Sequence, residues 1–254
     1  MILQLHLFMV GISKLDVKFK EDCKYFIQYR FTKKQHIDQW SSPKAKLEDL
    51  FFNLHEKLDL EKISRRRRFV PHITLVPPFK TNNVEEMIRS LDNRFKVENP
   101  NPKEIYFSFR QANILPFEKI DYLVVLADAS EDLADLNKKI KGNTVYNKLA
   151  NAVYTPSFGG WNPHIEIGDS TQISDLSRAK FLANNYLEKE NLIGIKEPVS
   201  RITIMEKRNK QTRILLEYDF IRKEWLNRYE ALSNKLWIDT AREIDKIYKK
   251  INNI

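Results

Sequence analysis

A short frame occurs twice and constrains this chain more than anything else in it. Phe69-Val-Pro-His-Ile-Thr-Leu75 returns as Trp161-Asn-Pro-His-Ile-Glu-Ile167: an aromatic, any residue, Pro, His, Ile, any residue, an aliphatic. The copies stand too far apart in sequence for one local metal loop and suit two halves of one domain. In a β-strand, side chains alternate between faces. His72 and Thr74 then share one face while Ile73 and Leu75 enter a core; His164 and Glu166 share another, with Ile165 and Ile167 behind them. Proline just before each histidine is tolerated at a strand start or on an edge. Two strands lifting a histidine from the same kind of position imply a pseudo-twofold site with paired imidazoles.

The rest of the chain supplies strands and helices around these two stretches. Residues 2–10 and 25–31 read as strands, the second alternating Tyr25, Ile27, Tyr29 and Phe31 with Phe26, Gln28 and Arg30. After the Ser41-Ser-Pro43 turn, Leu47, Leu50, Phe51, Leu54 and Leu58 recur at helical spacing. Asn83 with Glu86 marks a second helix start, and Asn99-Pro-Asn-Pro102 ends that helix. Strands are expected over 105–110 and 123–127. Ser130 opens a further helix, for which Gly142 serves as C-cap. Residues 173–188 read as a helix, and 201–206 with 213–220 as a hairpin. From Ile221 onward the pattern is almost wholly helical, with Trp225, Tyr229, Leu232 and Leu236 beginning an apolar stripe that packs on the sheet or mediates self-association. Strands and helices mix without strict βαβ alternation. The expected class is therefore α+β, with two pseudo-symmetric lobes of antiparallel sheet backed by helices. Residues 1–220 form that bilobal domain and 221–254 a C-terminal helical extension packed on it.

The duplicated frame resembles the two-histidine phosphoesterase superfamily, which includes RNA 2′,3′-cyclic phosphodiesterases and 2′-5′ RNA ligase-like proteins. His72-Ile-Thr-Leu75, continued by Val76-Pro-Pro-Phe79, matches the first His-x-Thr/Ser-aliphatic motif of that superfamily; His164-Ile-Glu-Ile167 departs from the second by carrying Glu166 where Thr or Ser is expected. The resemblance implies a central cleft with one histidine strand from each lobe, and metal-independent hydrolysis of 2′,3′-cyclic phosphate or 2′-5′ linkages, without a cofactor. His72 and His164 are then the acid–base pair and Thr74 a phosphate donor. Two imidazoles that titrate near pH ~6.5 suit this, since one group takes a proton from water while the other protonates the leaving ribose oxygen. Glu166 repels phosphate and offers no hydroxyl. It holds a proton, turns away, or marks a lobe without hydrolytic activity.

Arg65 to Arg68, with Arg66 and Arg68 as the candidates, are placed to grip RNA phosphates; Phe79, Phe158 and Trp161 are candidate base-stacking residues. A formal net charge of +9 suits a polyanionic partner, here RNA or a small nucleotide. Two other classes stay open: a non-catalytic RNA-binding relative, and a metal enzyme using His72, His164 and Glu166. Hydrophobic content of 42% argues against disorder, and one cysteine, Cys23, excludes an internal disulfide framework. The stretch 1–12 is too short to span a bilayer and lacks a basic leader, so no membrane partner is expected and cytoplasm is the default. The oligomeric state is left open.

Overall fold

The computed structural model describes residues 23–31, 42–58, 70–81, 83–141, 150–152, 161–209 and 211–254. The expected strand over 2–10 and the Gly142 cap lie outside them. The described residues form a mixed α+β fold of two antiparallel sheets with helices packed around them. In chain order the strands are β1 (Lys24–Arg30), β2 (His72–Thr81), β3 (Tyr106–Phe117), β4 (Ile120–Ala129), β5 (Ala150–Ala152), β6 (His164–Asp169), β7 (Lys196–Pro198), β8 (Arg201–Arg208), β9 (Gln211–Asp219) and β10 (Glu224–Asn227). The first sheet runs β10-β9-β8-β1-β2-β5 and the second β6-β4-β3-β7. Each sheet thus holds one histidine strand.

The helices are α1 (Pro43–Lys57), α2 (Val84–Glu98), α3 (Glu131–Ile140), α4 (Leu176–Lys189), α5 (Arg228–Leu232) and α6 (Asn234–Asn252). Their starts follow local chemistry. Side chains of Ser42, Asn83, Ser130 and Asp175 each accept a backbone N–H from the first turn they precede, satisfying a donor that has no partner within the helix. Helix α4 begins later than the expected residue 173 because Asp175 caps it, and Ile173 is buried in the turn before it.

The C-terminal segment departs from the all-helical expectation. Residues 224–227 pair with β9 as β10, Trp225 opposite Tyr218. Its indole N–H donates to Asp92 Oδ1 at 3.1 Å, and its ring meets Tyr218 and Phe95 at centroid distances of 5.1 and 5.8 Å. Strand pairing and this aromatic cluster outweigh helical spacing over so short a stretch. Helix α6 then braces both sheets. Thr240 donates to Asp219 Oδ2 on β9 at 3.2 Å, and the Asn252 amide exchanges two hydrogen bonds of 2.8 Å with the Lys196 backbone on β7.

The core joins the two sheets through rings. Tyr29 and Phe31 at the β1 end meet Phe107 and Phe109 of β3, each pair at 5.7 Å, and the Tyr29 hydroxyl donates to Glu197 Oε1 on β7 at 2.6 Å. Burial and that carboxylate push the Tyr29 hydroxyl far above its ordinary pKa, so it stays a donor at any physiological pH. On the opposite face of the first sheet lies a buried ionic cluster. Arg201 Nε and Nη1 donate to Asp219 and Glu217, both at 2.9 Å, and Thr203 donates to Glu217 Oε2 at 2.6 Å.

Candidate active site

The two histidine frames are equivalent in three independent details. First, each imidazole Nδ1 lies within hydrogen-bond range of the carbonyl two residues earlier: His72 to Val70 at 3.0 Å, His164 to Asn162 at 2.8 Å. A carbonyl only accepts, so Nδ1 carries the proton in both rings and Nε2 is the nitrogen that presents a lone pair when the ring is neutral. Second, the proline carbonyl before each histidine accepts a backbone N–H from the neighbouring strand: Phe31 N to Pro71 O at 3.3 Å, Ala127 N to Pro163 O at 2.9 Å. Third, each strand shifts register at the same offset. On β2 the pairing with β1 skips Leu75, and on β6 the pairing with β4 skips Ile167.

These bulges explain the burial pattern. One extra residue lets two consecutive positions face inward, so Leu75 with Val76, and Ile167 with Gly168, are all buried. Alternation is undisturbed before the bulge. Ile73 and Ile165 are buried, while His72, Thr74, His164 and Glu166 face outward as expected.

Short pairing brings the strands together. Strand β5 covers only Phe79–Thr81 of β2, so the His72 half of β2 has no strand on that flank among the described residues. Strand β6 is the edge of the second sheet and approaches β2. The Trp161 indole bridges them by donating to the Thr74 carbonyl at 3.0 Å, and the Asn137 side chain of α3 holds the Leu75 carbonyl at 2.9 Å. The two imidazoles are within electrostatic range of each other. Burial, and to a smaller extent the charges of His164 and Arg30, hold the His72 pKa below its ordinary value, against the raising effect of the Val70 carbonyl.

A cavity of about 660 Å³ opens beside His72. It takes in Glu166, Arg30 and Gln28, and runs across the sheet to Met205 on β8 and Arg228 on α5. Glu166 also lies close enough to Tyr122 on β4 that, after burial, its charge raises the tyrosine pKa.

The other sequence candidates fare differently. Phe79 is fully buried and packs on Tyr25 at 6.3 Å, which corrects its expected stacking role: as the residue after Pro77-Pro78 it returns to the core face. Trp161 is half-buried, its indole N–H on Thr74, its ring against Phe107 at 5.9 Å and under Lys141 at 5.6 Å. Arg66, Arg68 and Phe158 lie outside the described residues. Among the described residues no three His, Cys, Asp or Glu side chains gather as a metal-ligand set, and no helix is long and apolar enough to cross a membrane. Arg30, on the polar face of its strand by simple alternation, lies directly opposite His72 in the β1–β2 register. Its alternation was legible; its pairing partner was not.

No model of a known protein family and no curated protein matches the chain. Among solved structures, that of Kluyveromyces marxianus Usb1 with uridine monophosphate is similar at 11% sequence identity and a TM-score of 0.39, over 77% of this chain and 98% of that chain.

Proposed function

We propose that this protein is a phosphoesterase that opens 2′,3′-cyclic phosphates, or cleaves 2′-5′ linkages, at RNA ends or in small nucleotides by paired-imidazole acid–base catalysis. The observation that carries the reading is the matched pinning of both rings, which leaves each Nε2 as the reactive nitrogen. His72, held neutral by its lowered pKa, is the base. Its Nε2 takes a proton from water as the water oxygen bonds to phosphorus. His164, protonated at Nε2, gives that proton to the ribose oxygen as the P–O bond breaks. Charge gathers on the non-bridging oxygens in the transition state, where the Thr74 hydroxyl is the donor from the His72 face. Neither step requires a metal.

Glu166 favours a second reading. A carboxylate in the cavity where a hydroxyl is expected is consistent with a chain that binds RNA ends without turning them over.

One experiment separates the readings: a 2′,3′-cyclic-phosphate oligonucleotide is incubated with the protein with and without exhaustive chelation, and the product is identified. Hydrolysis to a single phosphomonoester, insensitive to chelation and reduced about 10²- to 10⁴-fold in His72→Ala and in His164→Ala, supports the proposal. Full activity in both variants removes it. Binding with steep salt dependence and no turnover supports the RNA-binding reading.

A further inference from the structure

Arg30 occupies an unusual position for a buried-side cation. Its Nη1 is buried without a hydrogen-bond partner among the described residues. The nearest carboxylate oxygen recorded for it, Glu217 Oε2, is 3.7 Å away and already accepts from Thr203 at 2.6 Å, while Glu217 Oε1 accepts from Arg201. Glu217 therefore does not depend on Arg30. Arg30 also lines the cavity beside His72, where its like charge disfavours protonation of the imidazole. With its only ion-pair partner among the described residues at 3.7 Å and shared with Thr203, this cation has donor capacity left for an anion bound in the cavity.

The other cavity arginines are less suited. Arg213 is paired with Glu206, and Arg228 stands at the far wall on α5. Arg30 is directly opposite His72 in the β1–β2 register, on the same face of the sheet, and lines the same cavity, so a change of rotamer would bring its forked donors to an anion held beside the imidazole. The second histidine strand offers a carboxylate, Glu166, where the first offers the Thr74 hydroxyl. One donor to a bound phosphate is thus missing from that side.

We propose that Arg30 is a substrate ligand that donates to the non-bridging oxygens of the reacting phosphate and supplies the donor absent at position 166. This rests on the phosphoesterase reading for the identity of the anion, and on Arg30's own surroundings for the site. In the bound complex the guanidinium offers two N–H donors to the phosphate. It neutralises the charge that Glu166 would otherwise oppose, and leaves His72 neutral as base.

The test measures binding and turnover separately, with a nucleoside 2′-monophosphate and inorganic phosphate as probes. A lost hydrogen bond to a charged group corresponds to about 10- to 100-fold in affinity. Arg30→Met is expected to weaken binding of both probes by that factor, and Arg30→Lys to lose less, because the charge remains but the fork does not. The His72 pKa, followed by NMR of the imidazole, is expected to rise in Arg30→Met, with Val70 O, His164 and Glu166 unchanged around it. Should Arg30→Met fail to fold, Arg30→Gln and Arg30→Lys carry the same comparison. Unaltered affinity in a folded charge-removing variant overturns the inference. Arg30-dependent phosphate binding without turnover sustains it while refuting the enzyme; turnover indifferent to Arg30 does the reverse.

Discussion

Trp161→Phe is the sharpest test of how the two histidine strands are held. The indole N–H donates from the segment entering β6 to the backbone of β2, reaching Thr74 O at 3.0 Å. Phenylalanine keeps an aromatic ring for Phe107, 5.9 Å away in an edge contact, but has no donor. A net hydrogen bond contributes about 0.5–1.5 kcal/mol, and leaving its buried partner unsatisfied raises the loss to about 1–3 kcal/mol. Trp161 is only half-buried, so water can take over part of the task and a loss of about 2 kcal/mol is the working figure. For a chain of this size each kcal/mol shifts Tm by about 2–4 °C, so a fall of about 4–8 °C is expected in thermal denaturation. The functional consequence should exceed the stability loss. Thr74 lies two residues from His72, and Trp161 three from His164, so the bridge sets the spacing of the two imidazoles. A misplacement near 1 Å costs up to about 10²-fold in turnover, and it should appear in kcat more than in KM. A Tm within ~1 °C of the parent together with unchanged kcat would refute the bridging role.

Arg201→Met should destabilise the fold by about 3–5 kcal/mol in chemical denaturation, because it leaves Glu217 and Asp219 buried without their shared cation. The His72 pKa is lowered in the folded chain, so the unfolded chain takes up the proton first as pH falls below about 6.5; stability should decline there, and His72→Gln should flatten that decline between pH 8 and pH 5. Glu166→Thr replaces a charge in the cavity by a hydroxyl, and nucleotide affinity measured by calorimetry should rise. Glu166→Gln should lower the Tyr122 pKa, read from its ultraviolet titration, since the Glu166 charge is one cause of its elevation.

Much of this protein is legible in its sequence because much of it is local. Helix caps at Ser42, Asn83 and Ser130 are set within one turn, and the strand period places Ile73 and Ile165 inward with His72 and His164 outward. The duplicated Pro-His-Ile frame marks the candidate site from residue types alone. Tertiary structure decided what local pattern cannot carry. Phe79 goes to the core because two prolines precede it in a bulged strand, and residues 224–227 become a strand because β9 offers an open edge and Trp225 finds Asp92. Trp161 links the two sheets through its indole N–H, a contact that no local pattern announces. Arg30 stands out only once β1 pairs with β2, since register is a relation between distant segments and places that cation opposite His72. Alternation is a property of one strand; a site is a property of several, and the free energy that assembles them comes from burial that no single stretch of the chain contains.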